Sequence, residues 1–155
     1  MKKDPQKVID VHHSLSYRVI SKQGDMMSDG YRVPGSADGM AAFALDAEHT
    51  VLVRNHELGR TSGRLMGPFK DPTAEAMRLG KMQYDSNAFG GTTNVVIDNA
   101  TNKVVKEYLS LVGTMTNCAG GVSPMDTWLT CEENIGKKRK NKVPHGYVFE
   151  VDPRK

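Results

Sequence analysis

A cysteine set in a glycine turn and followed by two adjacent carboxylates is the part of this sequence best equipped for chemistry. The stretch reads Asn117-Cys118-Ala119-Gly120-Gly121-Val122-Ser123-Pro124-Met125-Asp126-Thr127-Trp128-Leu129-Thr130-Cys131-Glu132-Glu133-Asn134 and holds the only tryptophan. Asn117 and the Gly120-Gly121 pair predict a tight turn that lets Cys118 come close to another group. A thiolate is a soft ligand suited to iron, zinc or copper, and a nucleophile when its pKa is lowered. Two plainer readings stand beside these: a small buried residue, or half of a disulfide with Cys131.

Thr127 to Cys131 reads as a strand, β-branched and aromatic, bounded by Pro124 and by Asn134-Ile135-Gly136. Alternation puts Trp128, Thr130 and Glu132 on one face and Leu129, Cys131 and Glu133 on the other. Both glutamates reach one metal only if the strand ends or bulges there, so one is expected to bind it and the other to orient the ligand. An ordinary solvated strand end is the alternative.

The run NCAGGVSPMDTWLTCEEN closely resembles the signature of the PhoX-type alkaline phosphatases, a family of secreted phosphomonoesterases also described as a domain of unknown function. Three further pieces agree in order: Leu52-Val53-Arg54-Asn55-His56-Glu57, Gly90-Gly91-Thr92-Thr93-Asn94 and His145-Gly146-Tyr147-Val148-Phe149-Glu150-Val151. The likeness extends from about residue 30 to the C-terminus. Met125-Asp126 departs from it, standing where the family pattern has an aromatic residue and a glycine.

This resemblance implies a six-bladed β-propeller with ferric iron and calcium in its central pocket, a cysteine on the iron pair and glutamates completing the cluster. Matched motif by motif, Cys118 is that cysteine, Glu132 and Glu133 fall on the acidic pair, and Asn55 with Glu57 on the polar end of an earlier motif. The implied substrate is a small phosphate ester, and the implied setting is periplasmic or extracellular.

The residues themselves say something similar about the earlier motif. Thr50 to Val53 reads as a strand that delivers Arg54-Asn55-His56-Glu57 at its end, where a propeller opens its pocket. Oxygen donors such as Asn55 and Glu57 suit calcium. The planar fork of Arg54 suits a phosphate, although Arg54 as an ion-pair partner and His56 as a hydrogen-bonded strand end explain the types equally well.

Three hairpins organise the chain. Met40–Leu45 pairs with Thr50–Val53, Val95–Asp98 with Lys103–Val112, and Thr127–Cys131 with Tyr147–Val151. Tyr17 to Ser21 reads as a short strand, Gly24 to Gly39 as loop, and residues 1–15 as a loosely ordered entry with His12 and His13 exposed. Residues 59–72 carry Gly59, Gly63, Gly67, Pro68 and Pro72 and read as loop, while Thr73 to Leu79 has the composition of one short helix stopped by Gly80. Gly90-Gly91 lacks the spacing of a phosphate-binding loop and reads as a turn that lets strands pack closely. Gly136 to Lys142 is a basic run, read as a solvated crossing between strands.

A chain of 155 residues, 38% hydrophobic and 25% charged, is long enough for one domain with a core of its own. Its net charge of +3 gives no warrant for nucleic-acid binding. Met1-Lys2-Lys3 is not followed by an apolar run, so neither a signal peptide nor a membrane span is expected.

The expected fold is therefore all-β, with antiparallel hairpins forming part of a β-propeller and one short helical insertion. At roughly 40 to 50 residues per blade, residues 1–155 supply about three blades of six, a single incomplete propeller domain. The expected function is metal-dependent phosphomonoester hydrolysis in a parent protein that supplies the remaining blades, with weak or no activity in this chain alone. A non-catalytic, calcium-stabilised β scaffold or interaction module is the alternative.

Overall fold

The computed structural model describes residues 1–69, 79, 83–135 and 143–155. Seven strands and one helix follow in order: β1 (Ala37–Ala44), β2 (His49–His56), α1 (Arg60–Met66), β3 (Gly90–Asp98), β4 (Val104–Thr114), β5 (Asn117–Val122), β6 (Trp128–Glu132) and β7 (Val148–Val151). They form two antiparallel sheets, β1-β2-β3-β4 and β5-β6-β7. The fold is all-β with one short helix, and a four-stranded meander of this kind has the form of a propeller blade. The first two expected hairpins belong to one sheet rather than to separate blades, because Thr50–Val53 also pairs with Asn94–Ile97.

Alternation along β2 gives this sheet two different faces. Val51 and Val53 join Phe43, Val96, Trp128 and Val151 in a core between the sheets. Leu109 and Val112 join Met27, Val33, Phe69, Leu79 and Phe89 in a second core. Two buried amides reach across the first core: Asn55 Oδ1 accepts from Trp128 Nε1 at 2.9 Å, and Asn94 Nδ2 donates to the Pro153 carbonyl at 3.2 Å. Each satisfies polar atoms that burial would otherwise penalise.

Three expectations are corrected, and two others fall largely outside the described residues. Asn117–Val122, expected as a glycine turn, is the strand β5. Its glycines serve close packing, since a Cβ on Gly120 would lie 2.3 Å from the Leu129 carbonyl and 2.4 Å from the Trp128 ring. The helix lies at Arg60–Met66, inside a region expected to be loop, where Gly63 lets it settle against Phe89. The helix expected at Thr73–Leu79 falls outside the described residues except for Leu79, as does the basic run at 136–142. Tyr17–Ser21 forms no strand and is almost wholly exposed.

Gly90 and Gly91 open β3 instead of preceding it. Gly91, at φ 154°, passes so close to β4 that a Cβ would sit 2.0 Å from the Leu111 carbonyl. Asp126 has φ 58°, the left-handed conformation that glycine favours. It stands where the family pattern has glycine, so the turn is kept although the residue differs. The entry segment is held by a Lys2–Val11 bridge and by Asp4, whose carboxylate accepts from the Val8 and Gln6 amides and from the Tyr17 hydroxyl. His12 and His13 are exposed.

Candidate metal centre

Two irregularities in the strands meet at one place. β1 bulges between Ala37 and Met40, and β5 between Asn117 and Gly120. Bulges re-aim side chains, and here they bring Asp38 and Cys118 together. The strands touch closely enough that a Cβ on Gly39 would lie 2.7 Å from the Cys118 carbonyl. Glu57, just beyond β2, completes the group: one ligand atom from each of Asp38, Glu57 and Cys118 lies within 4.8 Å of the others. Asp38 is exposed, and Glu57 and Cys118 are half-buried, so the cluster is open to solvent.

Glu133 belongs to the same neighbourhood. The Cys118 thiol is pushed up to about 11 by burial, by hydrogen bonding to Glu133 and Asp38, and by their charges. Glu57 is likewise raised, by burial first and then by Asp38 and Glu133. Every charge acting on these two groups is negative. Such crowding disfavours the ionised forms, and a bound cation would reverse it.

The backbone holds the acidic residues with unusual conformations. Ser36 and Thr116 have φ of 49° and 51°, and for a β-branched threonine this is a genuine outlier. The Ser36 carbonyl accepts the Glu57 N–H, and the Thr116 carbonyl accepts the Glu133 N–H. Thr116 N–H in turn donates to the Leu58 carbonyl. Strain of this type concentrates at functional sites, and here both residues fix members of the cluster.

The family model for alkaline phosphatase PhoX matches residues 1–155. The chain belongs to the PhoX alkaline phosphatase family. No curated protein and no solved structure matches it. PhoX membership makes the chain alkaline phosphatase-like, in a family of metal-dependent enzymes acting on phosphate esters.

Of the residues singled out from the PhoX motifs, the structure brings Cys118, Glu57 and Glu133 together and places the other three elsewhere. Glu132 turns to the opposite face from Glu133, with a side chain fully shielded from solvent. Its carboxylate accepts from the amides of Met115, Gly146 and Tyr147 and from His145 Nδ1 at 2.7 Å. Asn55 donates to the carbonyls of Cys118 and Ala119 at 3.0 and 3.1 Å and accepts from Trp128, so its amide secures β5. Arg54 points to the other face of its sheet, ion-paired to Glu107 at 3.0 Å and donating to Ser21 and Thr93.

His56 lies on the face of Arg54. Nδ1 donates to the Gly35 carbonyl, and Nε2 accepts from the Thr93 hydroxyl. Burial, with the Arg54 charge beside it, lowers its pKa to about 3 and keeps the ring neutral. Cys118 and Cys131 are both free thiols, so the disulfide reading is set aside.

Sequence reasoning missed Asp38. The Asp38-Gly39 pair is a turn or bulge signal, but nothing in it indicates which strand it will face. It also missed a relay behind the cluster, in which Glu132 binds His145, His145 Nε2 meets Asp85 at 3.1 Å, and Asp85 pairs with Arg60 at 3.1 Å. Burial alone would raise Asp85, yet hydrogen bonds from Asn87 and His145 and the charge of Arg60 outweigh it and hold the carboxyl below its usual value. No helix among the described residues is long and apolar enough to cross a membrane.

Proposed function

We propose that this chain carries metal ligands for phosphomonoester hydrolysis, with Cys118, Asp38, Glu57 and Glu133 as the donors. The observation that carries the reading is the convergence of a thiol and two carboxylates within 4.8 Å, in a chain of the PhoX family. The donor set fits the expected metals: a thiolate suits iron, and carboxylate oxygens suit calcium or share iron. Bound there, metal ions would neutralise phosphoryl oxygens and supply an activated oxygen nucleophile.

The chain's own residues have distinct parts in this reading. Cys118 would give up its proton to solvent and serve as the soft ligand once a cation offsets the carboxylates beside it. Glu57 and Asp38 supply hard oxygens from the first sheet, while Glu133 does so from the end of β6. Glu132 is a positioning residue: its hydrogen bonds to the Met115, Gly146 and Tyr147 amides fix the strand end from which Glu133 projects. Asn55 acts similarly on β5. Arg54 has no part in phosphate binding here, because its guanidinium is engaged with Glu107 on the far face. A periplasmic or extracellular setting accords with the family.

Metal analysis of the purified protein together with hydrolysis of a chromogenic phosphate ester tests this. Iron with a thiolate-to-iron absorption band, lost with activity in Cys118→Ala, supports it. Activity and iron content unchanged in Cys118→Ala would refute the assignment, and calcium without iron would favour a calcium-stabilised scaffold.

A further inference from the structure

Helix α1, the turn at Asp85–Asn87 and Val143 border a half-open cleft of about 540 Å³, within the range of small-molecule sites. Arg60, Thr61 and Arg64 line one side, and Asp85, Ser86 and Asn87 the other. None of the four proposed metal ligands is among these residues. We propose that this cleft is an oxyanion site that takes a phosphate group independently of the metal cluster.

The sign of the ligand follows from which groups still have hydrogen-bonding capacity. Asp85 is the only acidic residue among the lining residues named, and its acceptors are filled. Oδ2 takes Arg60 and His145, and Oδ1 takes the amide and side chain of Asn87. With only 3% of its side chain exposed, it offers nothing to a cation. Arg60 gives one donor to Asp85 and one to the Asn87 carbonyl, leaving part of its five-donor fork free. Arg64 has no ion-pair or hydrogen-bond partner among the described residues and is exposed.

The two arginines stand one helical turn apart. Arg60 is already paired with Asp85, so the uncompensated charge at the cleft is that of Arg64, and an anion would balance it. Arginine forks match the oxygens of phosphate, and the hydroxyls of Thr61 and Ser86 add neutral donors. The helix packs closely at Gly63, where a Cβ would come within 2.7 Å of Phe89. Arg60 is thus held in place by Asp85 and Asn87 before any ligand arrives, and Arg64 is free to close on it.

Calorimetric titration with inorganic phosphate decides the matter, using chelator-treated Cys118→Ala as the background so that the metal cluster does not contribute. Wild-type protein treated with a chelator serves equally if that variant is poorly soluble. Binding of one phosphate is expected, weakening as salt is raised. Arg64→Glu should reduce the affinity at least about tenfold, and Arg64→Lys should restore part of it. No binding in the cluster-free protein, or binding unaltered by Arg64→Glu, would overturn the proposal. The metal reading is judged separately, from iron content and ester hydrolysis.

Discussion

Without a cation, the Cys118 thiol is held protonated by burial and by the carboxylates of Glu133 and Asp38, which push it up to about 11. Its reactivity is therefore suppressed at neutral pH, since only the thiolate attacks. Iodoacetamide alkylation of Cys118 in metal-stripped protein should stay slow at pH 8 and climb as pH 11 is approached. Asp38→Asn removes one negative neighbour and should move that rise to lower pH. An unchanged profile would mean that the two side chains do not interact. At this scale residue type and motif singled out Cys118, Glu57 and Glu133, which the fold brings close together. The sequence was silent on Asp38, whose place in the cluster depends on a bulge. It gave no sign of the partners that engage Arg54 and Asn55, because Glu107 and Trp128 are distant in sequence.

The contact between β1 and β5 rests on Gly39, where no side chain fits against the Cys118 carbonyl. Gly39→Ala should force the two bulged strands apart, destabilising the protein by about 1 to 3 kcal/mol, the usual range for overpacking. Metal content should fall with it. Thermal melting and metal analysis of the variant check both, and a stable variant with full metal would show that the strands adjust freely. Hairpins were the most legible elements, because Thr50–Val53, Val95–Asp98 and Thr127–Cys131 combine β-branched runs with recognisable ends. β5 was not legible, since Ala119-Gly120-Gly121 has the composition of a turn. What makes it a strand is the pairing of Gly120 with Thr130 and of Gly121 with Leu129, together with the Trp128 ring filling the space over Gly120. Helix α1 was hidden for a similar reason: its central Gly63 argues against a helix locally and is required by Phe89 globally.

Acid should unfold the whole molecule through His56. The native ring takes up its proton only near pH 3, whereas the unfolded chain does so near its ordinary value of about 6.5. Between these values the unfolded state binds more protons, so stability is present above pH 6.5 and is lost as pH falls. The expected slope from this residue is about 1.4 kcal/mol per pH unit. Denaturant melts at pH 7 and pH 5 should show the loss, and His56→Gln should flatten it; an equal slope in the variant would place the sensitivity elsewhere. The all-β class was legible from the hairpins. How they assemble was not, because the pairing of β2 with β3 crosses α1 and the segment after it, a separation along which no local signal survives. That assembly places Asp38 and Glu57 on one sheet and Cys118 and Glu133 on the other.

An ion seated among those four would thus be tied to both halves of the molecule, a rivet through a seam already closed by side-chain packing and hydrogen bonds. Free metal at a hundred times the dissociation constant would add about 2.7 kcal/mol to the stability of the folded chain. Loading with metal would then reinforce a seating of one sheet on the other that packing already achieves.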